Sequence, residues 1–307
     1  MPTVDLPPWL LSVILAPFGL ILGSFCNVLI HRLPLDEPAE RNVVTRPSHC
    51  PQCQARIRPV HNIPLVSWVW LRGRCASCGW RIPFRYPLVE LLGGLVLAGS
   101  VWVFPFATLI WAKGVVCGYA LVVLFFTDLT TQTLPDVVQF PLMALGVLLT
   151  LPQLVWPHHL TSVWAPGQCI LTAETFANGL QPAPAWALLG WPVSWRSSLL
   201  GLGVGYGGPW LLNLAYRLIR KNDGIGMGDF KMLAWLGAFW GMGPMLGILF
   251  GGSLLGTAVG LGMMARRKAT GKTMLPFGCF LALATPVVVF YGPTLWSAYL
   301  GLARAIP

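Results

Sequence analysis

The chain has 307 residues, 55% of them hydrophobic and only 10% charged, with a formal net charge of +10. A soluble domain needs roughly 25% charged residues to cover its surface, so an ordinary soluble enzyme is excluded and apolar helices in a bilayer are expected. The positive charge does not argue for nucleic acid, because in a membrane chain the placement of Lys and Arg sets orientation.

The elements follow in chain order. Met1 to Pro8 lacks the basic region of a cleavable signal, so the first apolar run, Trp9 to Ile30, reads as a retained span. Eight candidate spans result, at 9–31, 86–104, 107–127, 136–155, 197–219, 230–243, 244–265 and 276–300. The fold class is therefore an all-α polytopic membrane protein. The sixth span is short, and Pro244 is expected to interrupt it, leaving it tilted or partly re-entrant. Two polar segments stand out, Arg32–Arg85 and the Pro-, Trp- and Ala-rich Pro157–Arg196, which reads as an irregular loop. Three parts follow: a first helix (1–31), a polar module (32–85) and a larger helical part (86–307).

Basic residues set the orientation. Nine arginines lie between Arg32 and Arg85, four basic residues lie between Arg217 and Lys231, and four more between Arg266 and Lys272. With eight spans all three segments share one side. That side is expected to be cytoplasmic, with both termini on the other.

Within the polar module, Cys50-Pro-Gln-Cys53 and Cys75-Ala-Ser-Cys78 are separated by 21 residues. Each pair brings two thiolates to one ion from a tight turn, and two turns complete a tetrahedral site suited to zinc. The spacing slightly exceeds the usual range, which a longer connecting hairpin would absorb. Four thiolates leave no open coordination position, so the metal is expected to be structural. His49 and His61 read as loop residues. Cys26, Cys117, Cys169 and Cys279 are scattered and do not form a disulfide framework.

Ten acidic residues remain to be explained. Asp5, Asp36, Glu37 and Glu40 sit in polar ends or loops, Asp223 suits a turn, and Glu174 has no clear role. Glu90, at the start of the second span, reads as helix N-terminal electrostatics. Asp128 closes the apolar run Val115 to Thr127, where a carboxylate faces the unfavourable end of a helix dipole. Ionisable groups so placed are functional by default. Asp136, in Thr133-Leu134-Pro135-Asp136, suits an ordinary helix start and is the second choice for the first acid. Asp229 closes Gly226-Met227-Gly228-Asp229. An N-cap role competes there, but the two glycines allow close approach of another chain.

Two carboxylates sharing a proton can hydrolyse a peptide bond without metal or nucleophile. Asp128 and Asp229 are the expected pair, with the proton expected on Asp128 because it ends a helix while Asp229 begins one. An ion- or proton-coupled transporter is the alternative from another class, since intramembrane aspartates also mark ion paths. It leaves the cysteine pairs and the glycines unexplained.

Taken together these residues resemble the type IV prepilin peptidase (leader peptidase/N-methyltransferase) family of GxGD aspartyl peptidases. The resemblance rests on Leu22-Gly23-Ser24-Phe25-Cys26-Asn27 through Pro34, on Arg46-Pro47-Ser48-His49-Cys50-Pro51, on Asn62-Ile63-Pro64, and on Arg85-Tyr86-Pro87-Leu88-Val89-Glu90-Leu91. It continues through Asp128 to Asp136, Gly226 to Lys231, and Leu275-Pro276-Phe277-Gly278. The resemblance implies cleavage of a basic leader from prepilins or type II secretion pseudopilins, at a Gly–hydrophobic bond on the cytoplasmic face of the inner membrane. It implies Asp128 and Asp229 as catalytic residues and Cys50, Cys53, Cys75 and Cys78 as the matching cysteines. It further implies methylation of the new amine with S-adenosylmethionine, a step associated with the cysteine module. Cys279 departs from the family, which often has Pro there, and no chemical consequence is expected. The expected partners are pilin-like substrates and lipid. Oligomeric state and the residues that hold S-adenosylmethionine are not legible.

Overall fold

The computed structural model describes residues 6–35, 37, 41–43, 47–104, 109–151, 195–220, 226–266 and 275–305. The expected irregular loop at 157–196 lies outside them except for its last two residues, and Asp5, Asp36, Glu40, Glu174 and Asp223 lie outside them altogether.

The described residues form nine α-helices: α1 Pro8–Arg32, α2 Val66–Trp70, α3 Arg85–Val103, α4 Leu109–Thr131, α5 Asp136–Leu148, α6 Trp195–Arg220, α7 Met227–Trp240, α8 Met242–Ala265 and α9 Phe277–Ala305. Among those residues only two isolated β-bridges form, and no strand. Every expected span has a helix in its place. Four stretches are long and apolar enough to cross a membrane: Pro8–Arg32, Arg85–Val103, Ile110–Thr131 and Met242–Ala265. Asp136–Leu148 and Phe277–Gly292 are shorter apolar stretches. The outer helices expose the large apolar side chains that lipid requires, including Val13, Phe18 and Ile21 on α1 and Phe250, Leu254 and Leu261 on α8. The protein is an integral membrane protein.

The chain divides into two compact units, residues 1–127 and 128–307. In the first, α1 and α3 meet through glycines. A Cβ on Gly93 would lie 2.5 Å from the Gly23 Cα, and one on Gly23 would lie 2.8 Å from the Glu90 Cα. Such small-residue contacts let helix backbones touch where water gives no hydrophobic drive. Cys26, Ile30, Val89, Val123 and Phe126 fill the core of this unit. The Tyr119 hydroxyl donates to the Gly93 carbonyl at 2.8 Å, and the Asn27 amide to the Tyr86 carbonyl at 3.0 Å.

The second unit is organised around α7. Every residue from Phe230 to Trp240 except Lys231 is buried, as a helix apolar on all faces requires. Helices α5, α6, α8 and α9 all pack on it. This accounts for the shortness of the expected sixth span: α7 is enclosed by protein. The break after it is not at Pro244. Gly241, at φ 83°, ends α7 and starts α8, while Pro244 sits in the first turn of α8, where a missing N–H costs nothing.

Candidate functional site

The second unit holds Asp128, Asp136 and Asp229. Asp128, in the last turn of α4, is 5% exposed, and Asp229, in the first turn of α7, is 9% exposed. The two carboxylates lie within electrostatic reach of each other. Asp229 is not an N-cap. Gly226 takes that position, and the Asp229 carboxylate lies close to it: a Cβ on Gly226 would be 3.2 Å from Asp229 Oδ2.

Asp128 has a structural partner that its place in the sequence hides. Its Oδ2 accepts the backbone N–H of Cys279 at 2.9 Å, in the first turn of α9. First-turn N–H groups lack the usual partner one turn back, and this one, which also reaches the Pro276 carbonyl at 3.2 Å, makes its shorter bond to Asp128. Both carboxylates therefore face helix N-termini. Asp128 ends α4 and Asp229 begins α7 as expected, but the N–H from α9 also favours an ionised Asp128, so the helix ends alone do not assign the proton between the two. The Cys279 N–H gives this departure from the family a contact its sequence does not suggest, since proline at this position would have no N–H to donate.

Glycines shape the space around the pair. A Cβ on Gly278 would lie 2.9 Å from Asp128 Oδ2 and 3.0 Å from the Leu134 side chain. One on Gly228 would meet Leu134 at 3.0 Å, and one on Gly226 would meet Asp229 Oδ2 at 3.2 Å. Leu134, in the link between α4 and α5, thus packs on the glycines of both the GxGD and PFG segments. Asp136 is placed differently. Its side chain is 55% exposed and its Oδ1 is 2.6 Å from Lys231 Nζ.

The first unit holds the cysteine module. The four sulfurs of Cys50, Cys53, Cys75 and Cys78 lie within 4.8 Å of one another, and Cys50 and Cys78 sulfurs are 4.0 Å apart. Zn–S bonds of about 2.3 Å put tetrahedral sulfurs roughly 3.8 Å apart, so the cluster is close to the right size for zinc. The two knuckles are alike. The Gln54 N–H returns to the Cys50 carbonyl and the Gly79 N–H to the Cys75 carbonyl, both at 2.9 Å, and Gln54 and Gly79 both adopt positive φ. The connection between them is not the expected hairpin but a 3-10 turn, Pro59–His61, and the short helix α2. The Cys78 backbone N–H, opposed by burial, lowers the Cys75 thiol to about 7, a shift in the direction that favours metal binding.

Comparison with known proteins decides the family. Residues 18–104 match the bacterial peptidase A24 N-terminal domain, and residues 115–261 match the type IV leader peptidase family. A Stutzerimonas stutzeri protein named prepilin leader peptidase/N-methyltransferase is 33% identical over 93% of this chain and 92% of its own length. Proteins of the same name from Dickeya chrysanthemi and Neisseria gonorrhoeae are 35% and 31% identical, over 90% and 92% of this chain. The chain belongs to the type IV leader peptidase family. No solved structure gives a significant match.

Within this family member, the structure brings together Asp128, Asp229, Gly226 and Gly228, and separately the four cysteines. Sequence reasoning missed four site residues: Leu134, Lys231, Gly278 and the Cys279 backbone. The signals were present, since Gly278 stands in the PFG segment and Lys231 follows GxGD, but nothing local names their partners. Glu90 carries more than dipole electrostatics. Its Oε2 accepts the Leu65 N–H at 2.8 Å and its carboxylate bonds the Ser24 hydroxyl, tying α3 to the module and to α1.

Proposed function

We propose that this leader peptidase family member cleaves the basic leader from type IV prepilins or type II secretion pseudopilins, with Asp128 and Asp229 as the hydrolytic pair. The observation that supports the reading is the presence of two buried carboxylates, at the ends of α4 and α7, within electrostatic reach of each other. Like charges brought together in a poorly solvated site do not both ionise, so one shared proton is expected. The ionised member takes a proton from a water between them as the water attacks the scissile carbonyl. The protonated member donates to the carbonyl oxygen. Collapse of the tetrahedral species returns a proton to the departing amine. The Gly278 and Cys279 end of α9 holds Asp128 by its backbone N–H, and Leu134 packed on Gly228 and Gly278 fixes the separation of the two segments.

The cleaved bond is Gly–hydrophobic and lies at the cytoplasmic face, where the basic segments belong by the positive-inside bias. The cysteine module then faces the cytoplasm and both termini face the periplasm of the inner membrane. Cys50, Cys53, Cys75 and Cys78 hold a structural zinc ion. The relatives' shared name supports a second activity, N-methylation of the new amine with S-adenosylmethionine as methyl donor.

The test is cleavage of a purified prepilin by the full-length protein carrying Asp128→Asn, Asp229→Asn or Asp136→Asn. Loss on the order of a thousandfold or more is expected for the first two and a small loss for the third. Cleavage by Asp128→Asn together with an inactive Asp136→Asn would reassign the first acid. Cleavage by all three would end the aspartyl mechanism.

A further inference from the structure

The link between the two knuckles turns its apolar side chains outward. In α2 the one hydroxyl points in: Ser67 is buried, donating to the Val60 carbonyl and accepting the Ile63 N–H, both at 3.0 Å. Trp68 also packs inward, its ring meeting the edge of Phe84 at a centroid distance of 5.9 Å. Val66, Val69 and Trp70, on the other face, are 55%, 68% and 69% exposed. Val60 and Ile63, on the way into the helix, are exposed as well.

The depth of this link is set by α3. The Leu65 N–H donates to Glu90 Oε2 at 2.8 Å, and Glu90 is five residues into α3. Leu65, immediately before α2, therefore stands beside the opening turns of α3 and not beyond its end. On α1 the same level is Gly23, nine residues short of Arg32, where a Cβ would lie 2.8 Å from the Glu90 Cα. A 19-residue helix is about 28 Å long, so the whole of α3 is needed to cross a hydrocarbon core of about 30 Å. Its opening turns, and Leu65 with them, lie at the boundary of headgroups and acyl chains.

The charge around the link is of one sign. From Arg41 to Arg85 the sequence has eight arginines and no Asp or Glu. Arg58 and Arg72 are exposed and bracket the apolar residues. Aliphatic groups and a tryptophan between guanidinium groups have the make-up of an interfacial anchor: apolar groups enter the acyl region, Trp sits at headgroup level and arginines meet phosphates. A basic leader, which the proposed substrates carry, would meet like charge here, so the surface suits lipid and not substrate. We propose that residues 60–70 form a membrane anchor that seats the cysteine module on an anionic phospholipid leaflet, with Ile63, Val66, Val69 and Trp70 in lipid and Arg58 and Arg72 on phosphate groups. The placement against lipid holds whether or not the chain cleaves prepilins.

The test uses the full-length protein in nanodiscs that carry a phospholipid with a photoactivatable group near its glycerol, followed by peptide mapping of the label. Residues 60–70 are expected to take label, at several-fold higher yield in phosphatidylglycerol discs than in phosphatidylcholine discs. Helix α1 is the internal standard, since Val13 and Phe18 are exposed on it whatever the module does. Label on α1 with none at 60–70 overturns the proposal, and equal yield in the two lipids overturns the anionic partner. Val69→Glu together with Trp70→Glu, both at exposed positions, is expected to cut label at 60–70 several-fold and leave α1 unchanged. Undiminished label on the segment overturns the insertion. Arg58→Glu with Arg72→Glu is expected to erase the difference between the two lipids, and a preserved difference counts against the phosphate contacts. If added prepilin displaces label from 60–70 while α1 keeps its own, substrate is the occupant and the proposal falls. Asp229→Asn is expected to label like the wild type while losing cleavage, so failure of the anchor and failure of the aspartyl pair are read separately.

Discussion

Lys231 Nζ stands 2.6 Å from Asp136 Oδ1, joining the second turn of α7 to the first residue of α5. The same ammonium lies 5.2 Å from the centre of the Phe140 ring. Lys231 is two residues beyond Asp229, so the pair steadies the helix start that carries that carboxylate. Partly exposed ion pairs contribute about 0.2–1 kcal/mol. Asp136→Asn and Lys231→Met are therefore expected to slow prepilin cleavage by no more than about tenfold, chiefly through kcat. Exchanging the two, Asp136→Lys with Lys231→Asp, is expected to recover part of the loss. A thousandfold loss in Asp136→Asn without recovery would give Asp136 a direct catalytic role.

Gly278→Ala is the sharpest steric test of the pair. The added carbon would lie 2.9 Å from Asp128 Oδ2 and 3.0 Å from Leu134, with the carboxylate held by the Cys279 N–H. The carboxylate must move, and a displacement of an ångström at a reacting group costs on the order of a hundredfold in rate. Cleavage is expected to fall by about that factor while zinc content stays at one ion per chain. Gly226→Ala, whose added carbon would meet Asp229 Oδ2 at 3.2 Å, is expected to lose less.

Cys279 separates a backbone role from a side-chain role. Proline is tolerated in a helix's first turn, so Cys279→Pro should preserve α9 while deleting the N–H that Asp128 accepts. Cys279→Ala keeps that N–H. The proline variant is expected to cleave several-fold more slowly than the alanine variant, since one charge-assisted hydrogen bond contributes about 1.5–3 kcal/mol before neighbours compensate. Equal rates in the two would show that the bond does not position Asp128. The family often carries Pro here, so activity in the proline variant should be reduced and not lost.

These relationships show where the sequence was legible. Long apolar runs located the helices among the described residues, of which four are long and apolar enough to cross a membrane. The knuckles were legible because each Cys-x-x-Cys closes as a local turn, as the returns from Gln54 and Gly79 show. Asp229 stood out through its glycines. The partner of Asp128 did not, because Cys279 is 151 residues away, and the Lys231–Asp136 pair spans 95. The break at Gly241 was misplaced to Pro244 because a first-turn proline and a helix-ending proline look alike in a string of letters.

The zinc module gives a prediction with a definite pH sign. Thiols must lose their protons to bind metal, so zinc uptake releases protons in proportion to the ligands still protonated. The Cys78 N–H lowers the Cys75 thiol to about 7. Apo protein is therefore expected to release more protons per zinc at pH 6 than at pH 8. The Cys78 N–H that lowers Cys75 belongs to the second knuckle itself, so the poise depends on that turn. Replacing Gly79, at φ 72°, with Val should strain the turn, weaken zinc binding and raise the proton release at pH 8. Cys50→Ser should abolish stoichiometric zinc, and retention of a full equivalent in that variant would remove the four-cysteine site. Equal proton release by the wild type at pH 6 and pH 8 would leave the turn without its electrostatic role.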